Sequence, residues 1–279
     1  VSLPDSITYL GASCFENCSS LTKAEIPGSL SRGNAQDVSG IFANCANLSE
    51  IVFIGDIKEI YPSMFNKCNS VTEITIPKSV TTIGEYAFAH CTSLKKVTIE
   101  GNIENIGAGC FAYCNSLKTV EFNGNLPCIS ALMFAECTSL CEIKIPDGVE
   151  SIGSAAFEQC SALKNIDIPN SVNSIGEYAF SMCVQLENVV FPTSLLYLND
   201  YAFYGCAMVD EIILPNSLIS LGSNVFSGTS INSLEIPDNI TNFQYDMVAG
   251  IKNVVLGTGI TKIYSNCFEG SNLETIEMN

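Results

Sequence analysis

The chain has 279 residues, 47% of them hydrophobic and 15% charged, and its 29 acids against 12 lysines and arginines give a formal charge of −17. That balance excludes nucleic acid and anionic membrane as natural partners, because both need a positive surface. No apolar run approaches the roughly 18 residues that span a bilayer, so no direct membrane insertion is expected of this segment. The charge is uneven: from Asn165 onward Lys252 and Lys262 are the only bases, against 12 acids. A basic or neutral partner fits this half best, and the bland alternative is that the acids only keep an apolar-rich array in solution.

Taken in chain order, Val1-Ser2-Leu3-Pro4 reads as the end of a strand motif. Units then follow in register on a phenylalanine: Phe15, Phe42, Phe65, Phe88, Phe111, Phe134, Phe157, Phe180, Phe203, Phe226, a weaker copy at Val248, and Phe268. A period of 23 signals a solenoid of about twelve repeats. Stacked coils share one elongated core and need no internal boundary, so residues 1–279 are expected to form a single domain. Irregular repeats are expected at 28–45 and 238–257, and both ends read as cut from a longer chain.

Each unit has three parts. A short segment such as Val80-Thr81-Thr82-Ile83 closes on a glycine (Gly84, Gly107, Gly153, Gly176, Gly222) that suits a sharp corner, through positive φ or close backbone approach. A compact Ala-Phe-x-x-Cys turn follows, too short for a full helix and expected to be 3₁₀. The unit ends in a strand such as Leu140 to Ile145, with Ile143 and Ile145 inward and Glu142 and Lys144 outward, stopped by Pro146. Successive copies should stack as one parallel sheet. Three places depart from the pattern. Arg32 to Gly40 carries about four extra residues, read as a bulge or a binding loop. Asn123 to Cys128 replaces a corner without changing length. Phe243 to Gly250 loses both phenylalanine and cysteine.

Nine of the 14 cysteines (Cys18, Cys45, Cys68, Cys91, Cys114, Cys137, Cys160, Cys183, Cys206) lie three residues after a repeat phenylalanine. Neighbours about 4.8 Å apart and pointing the same way are poorly placed to bridge, so free buried thiols are expected. Cys14, Cys110 and Cys267 fall where other units place alanine, and they too read as buried. Cys128 and Cys141 fit neither pattern and are the candidates for exposure or reactivity. With the lone His90 at a variable position, no zinc site or nucleophilic triad can be assembled, no phosphate-cradling glycine loop occurs, and no metal, cofactor or catalytic residue is expected.

The repeated Ile-Pro-x-Ser-Val-x-x-Ile-Gly-x-x-Ala-Phe-x-x-Cys-x-x-Leu-x-x-Ile-x-Ile resembles the BspA-like leucine-rich repeat, a class common in bacterial and protist surface proteins. The resemblance covers nearly the whole chain. It implies a leucine-rich-repeat solenoid, right-handed, with the parallel β-sheet on the concave face and short β or 3₁₀ segments and turns on the convex face. It also implies cell-surface or extracellular display and adhesion or protein binding, without catalysis.

The outward strand positions are the candidate binding surface, and they are net negative. Acids stacked about 5 Å apart there should repel one another and raise some pKa values. The candidate ligand-binding residues are Glu121, Glu142, Lys144, Asp167, Asn188, Val190, Glu211 and Ile213. Val190 and Ile213 on adjacent rungs make a small apolar spot with a polar edge, an arrangement interfaces favour. Tyr86, Tyr178 and Tyr201 share the slot two residues before phenylalanine, which fits local packing or a contact surface. The leading reading is a monomeric, non-enzymatic surface module that binds a protein ligand, host matrix or a basic protein, through this face. The alternatives are an intracellular inhibitor or scaffold that captures basic proteins, and a structural spacer.

Overall fold

In the computed structural model, residues 1–31, 39–243, 246–265, 267–269 and 271–278 are described. The proposed insertion at Arg32 to Gly40 lies mostly outside them, as do Gln244 and Tyr245 of the decayed repeat. Every strand pairing is parallel, and no helix occurs among the described residues. The chain winds as a β-solenoid with two walls. One wall holds the longer strands, from Lys23–Pro27 and Glu50–Ile54 through Lys96–Ile99 and Asn188–Val190 to Thr275–Met278. The other holds two-residue strands such as Thr82–Ile83 and Ser174–Ile175.

Between the walls runs one hydrophobic core, from Leu3 to Cys267. The repeat phenylalanines from Phe42 to Phe226 are buried, and each ring stacks on the next at centroid distances from 5.0 Å (Phe180–Phe203) to 6.1 Å (Phe203–Phe226). That is the range in which offset aromatic pairs attract. Val248 takes the phenylalanine position in the decayed unit and is buried as well.

The compact turn is built differently from the 3₁₀ expectation. In each unit, from that of Phe15 to that of Val248, the residues two before and two after the core position have positive φ, as at Tyr86 (53°) and His90 (58°). The backbone therefore switches hand twice and cannot run as a helix. Alternate amides divide the work. Those of Ala87, Ala89 and Cys91 bond back three residues, to Gly84, Tyr86 and Phe88, while those of Tyr86, Phe88 and His90 donate across to Ala108, Cys110 and Ala112 of the next coil. Left-handed L-residues cost roughly 1–2 kcal/mol each. Three cross-coil bonds per turn, at 2.8–2.9 Å here, offset that cost.

The corner glycines serve close approach rather than positive φ. A Cβ on Gly107 would lie 2.2 Å from the Glu85 nitrogen, and one on Gly176 would lie 2.6 Å from the Ser154 nitrogen. Where the corner is not glycine, Ser130 and Asn199 turn their side chains back to the carbonyls of Gly107 and Ile175 in the preceding coil.

The cysteine ladder is buried from Cys45 to Cys206, with Cys18 only half-buried, and its nine thiols are free. These thiols are also hydrogen-bond donors. From Cys45 onward each Sγ–H points at the carbonyl of the phenylalanine 26 or 30 residues earlier, as from Cys91 to Phe65 (3.2 Å) and from Cys160 to Phe134 (3.1 Å). Burial pushes their pKa values up, to about 12 for Cys206 and well beyond the ordinary range for Cys91, Cys114, Cys160 and Cys183. Cys110 and Cys267 are buried as expected, but Cys14 is exposed. Cys141 is exposed and Cys128 half-buried.

Candidate binding surface

The long-strand wall presents two outward columns of side chains. Lys23 pairs with Glu50, Glu73 with Lys96 and Lys96 with Thr119 in the first column. Glu25 pairs with Val52, Thr98 with Glu121 and Asp167 with Val190 in the second. These are the outward positions expected from the alternation. Thr98 is nevertheless buried, its Oγ1 donating to Glu121 at 3.2 Å.

The expected mutual repulsion of stacked acids is corrected by this register. Lys144 bridges to Asp167, and Asn188 lies beside Asn165, its Nδ2 donating to Asn165 Oδ1 at 3.2 Å. Most acids therefore have a lysine, an amide, a hydroxyl or an aliphatic group on the adjacent rungs rather than another acid. Where shifts occur they run downward. Glu25 is lowered first by Ser2 and then by Lys23, and Glu121 first by Lys96. Lys96 Nζ lies 2.8 Å from Glu121, and Lys23 Nζ lies 2.8 Å from Glu50 and 3.1 Å from Glu25. These pairs lie at the solvent surface, where water screens them, so they add little to stability. Glu121 is thus a neutralised member of the candidate set.

The wall is not one continuous ladder. It divides into four hydrogen-bonded sheets. At Glu142 to Ile145 the burial alternates as expected, yet only Lys144 bridges to its neighbour. At Glu211 to Leu214 the alternation again holds without any strand. Both gaps coincide with shallow depressions. One, of about 400 Å³, is lined by Glu121, Glu142, Lys144 and Asp167 together with Thr119 and Asn165. The other, of about 460 Å³, is lined by Asn188, Val190, Glu211 and Ile213, with Glu187 and Asp210 beside them. The structure thus brings the eight sequence-derived candidates together in two groups of four. Val190 is 72% exposed and Ile213 78%, although both are large aliphatics.

Sequence reasoning missed a third depression on the same wall. It measures about 570 Å³ and is lined by Glu211, Ser233, Glu235, Asn253, Thr275 and Glu277, among others. Its signal was the same outward column, continued past the candidates that were chosen. The compact turns form a further side of the coils, the turn wall, where His90 is half-buried and stacks on Tyr113 at 4.3 Å, and burial lowers its pKa first, with Lys67 adding to the effect. No cluster of three or more potential metal ligands occurs among the described residues. Among the described residues no helix is long and apolar enough to cross a membrane.

A parallel solenoid of mostly 23-residue coils, without a helix among the described residues, with stacked phenylalanines inside and a wall of short outward-alternating strands, defines a leucine-rich-repeat architecture. A family model for the BspA type leucine rich repeat region matches residues 1–36, 36–161, 127–251 and 247–279. The chain belongs to the BspA-type leucine-rich repeat family.

Among solved structures it is similar to a leucine-rich repeat protein from Bacteroides ovatus, at 23% identity and a TM-score of 0.57 over 100% of this chain and 91% of that one. It is also similar to a leucine rich cell surface protein from Faecalibacterium prausnitzii, at 27% identity and a TM-score of 0.57 over 100% of this chain and 87% of that one. The pneumococcal vaccine antigen PcpA is similar at 18% identity and a TM-score of 0.57, over 100% and 88% of the two chains. The first and third likenesses speak to the fold alone. No curated protein sequence matches the chain.

Proposed function

We propose that this chain is a non-enzymatic repeat module that works at a cell surface by binding a protein through its long-strand sheet, the wall expected to be concave. The observation that carries the reading is the pair Val190 and Ile213, on adjacent rungs, both largely exposed and rimmed by Glu187, Asp210 and Glu211. Water-exposed aliphatics bordered by charge are the composition of an interface core with its rim. The surrounding acids, with no base between Lys164 and Lys252, favour a basic partner such as a matrix protein, and they steer its approach. Family membership and the similarity to a protein described as a cell surface protein support the location.

The test is capture of host matrix and basic proteins by the immobilised chain at low and raised salt. The triple variant Glu142→Lys, Asp167→Lys, Glu211→Lys is compared with Ile213→Asp and with the unaltered chain. A central anchor carries about 2 kcal/mol or more, so Ile213→Asp should weaken capture roughly thirtyfold. Charge reversal should remove the salt-sensitive part. Undiminished capture by both variants overturns the sheet as the binding face.

A further inference from the structure

On the turn wall, the slot two residues before the core phenylalanine holds Ala155, Tyr178, Tyr201 and Asn224 in four successive coils. Tyr178 and Tyr201 stack face to face at 4.8 Å and 4°, and Tyr204 meets Tyr201 edge-on at 5.8 Å and 71°. Tyr178 is 39% exposed and Tyr204 40%. The Tyr178 ring leans on the following coil. Its other side faces the preceding coil, where the same slot holds only the methyl of Ala155, whose amide bonds to the Glu177 carbonyl at 2.7 Å. One aromatic face is therefore left without a ring partner, above a small residue.

Carboxylates lie near that tyrosine. Glu177 precedes Tyr178 and Glu158 follows the core phenylalanine of the Ala155 coil, whereas Asp200, before Tyr201, accepts with its Oδ1 from the Ser223 amide at 2.7 Å in the coil beyond. Glu177, Asp200 and Glu158 all act on the Tyr178 hydroxyl, whose pKa is raised first by desolvation, then by Tyr201 and then by these acids. None of the described ion pairs involves them. An open ring face backed by a second ring, with acids near it and no internal cation, is complementary to a guanidinium or ammonium group.

We propose that Tyr178, stacked on Tyr201 and flanked by Glu158 and Glu177, is a second docking point, on the compact turns rather than on the long-strand sheet. Its occupant is an arginine or lysine side chain of a partner protein, laid on the open face of Tyr178 above Ala155. This site does not depend on the sheet's role. A module with both sites would hold a basic partner from two sides or link two basic segments, which raises the effective concentration at the second contact.

The probe is a short capped peptide containing two arginines, titrated into the chain by calorimetry and by NMR of ring protons, with a citrulline-substituted peptide as the neutral control. The unaltered chain should bind the arginine peptide more tightly and shift the tyrosine ring signals. Tyr178→Leu combined with Tyr201→Leu keeps apolar bulk but removes the rings, and should weaken binding about 5- to 30-fold. Tyr178→Phe retains the ring and should bind like the unaltered chain, which separates ring chemistry from misfolding. Ile213→Asp on the long-strand sheet should leave peptide binding unchanged. Equal binding of both peptides, equal binding by the leucine variant, or loss of binding only in Ile213→Asp would each overturn the proposal.

Discussion

Raising the pH should unfold this protein through its own core. Eight thiols, Cys68, Cys91, Cys110, Cys114, Cys137, Cys160, Cys183 and Cys206, are buried and have raised pKa values, with burial as the first cause in every case. In the unfolded chain each titrates near the ordinary value of 9.0, whereas folded Cys206 waits until about 12 and the others at least as long. The folded state therefore holds protons that the unfolded state releases. The stability these thiols contribute is complete below pH 9 and is lost as the pH rises toward 12. At pH 10 an unfolded thiol gains about 1.4 kcal/mol by ionising, so eight of them cost the fold about 11 kcal/mol. Domains of ordinary stability have only about 5–15 kcal/mol to lose. Urea unfolding followed by far-ultraviolet circular dichroism at pH 7, 8, 9 and 10 should show a midpoint that is flat to pH 8 and then collapses. Cys160→Ala should remove one proton from the steep region. A midpoint unchanged between pH 8 and 10 would refute the picture of dry, proton-holding thiols.

Phe157→Ala deletes a fully buried ring that stacks on Phe134 at 5.5 Å and on Phe180 at 5.2 Å. The loss should be about 3–5 kcal/mol, read from urea midpoints, and a loss under about 1 kcal/mol would deny the ring its place in the core. Glycine offers a matched pair. Gly176→Ala should be strongly destabilising although its φ is ordinary, because the new Cβ would meet the Ser154 nitrogen at 2.6 Å. Gly148→Ala has open space around it but a φ of +96°, so its cost should be confined to local backbone strain of about 1–2 kcal/mol. If thermal unfolding ranks Gly148→Ala as the worse of the two, close approach is not what the corner glycines provide.

Much of this architecture was legible before any coordinates, because a 23-residue period translates directly into stacking. Once Phe157 and Phe180 are equivalent, so are Asn165 and Asn188, and the register pairs them as the repeat requires. The turn wall was harder to read. Its left-handed positions hold Lys67, Tyr86, Leu132, Glu136 and Gln159 as readily as Gly109 or Gly205, so residue type gives no sign of positive φ there. The conformation is imposed by cross-coil hydrogen bonding, which no single unit contains.

The cysteines were read as small buried residues, which they are. Their donation to phenylalanine carbonyls needs the offset between one coil and the next. The sheet breaks at Glu142 and Glu211 were hidden for a related reason: burial still alternates there, and only the ladder bonds are missing. The spacing of acids by Asn, Thr, Val and Lys was present in the columns, but net charge alone suggested a more crowded face than the register allows.

Every statement about the two faces rests on the interior being one dry tube shared by successive coils. Mass-resolved alkylation of the intact, folded chain by a maleimide at neutral pH tests this residue by residue. Cys14 and Cys141 should label first and Cys18 and Cys128 more slowly, while Cys68, Cys91, Cys114, Cys137, Cys160, Cys183 and Cys206 should stay unmodified until urea is added. Rapid labelling of Cys114 or Cys160 in the folded chain would contradict the account.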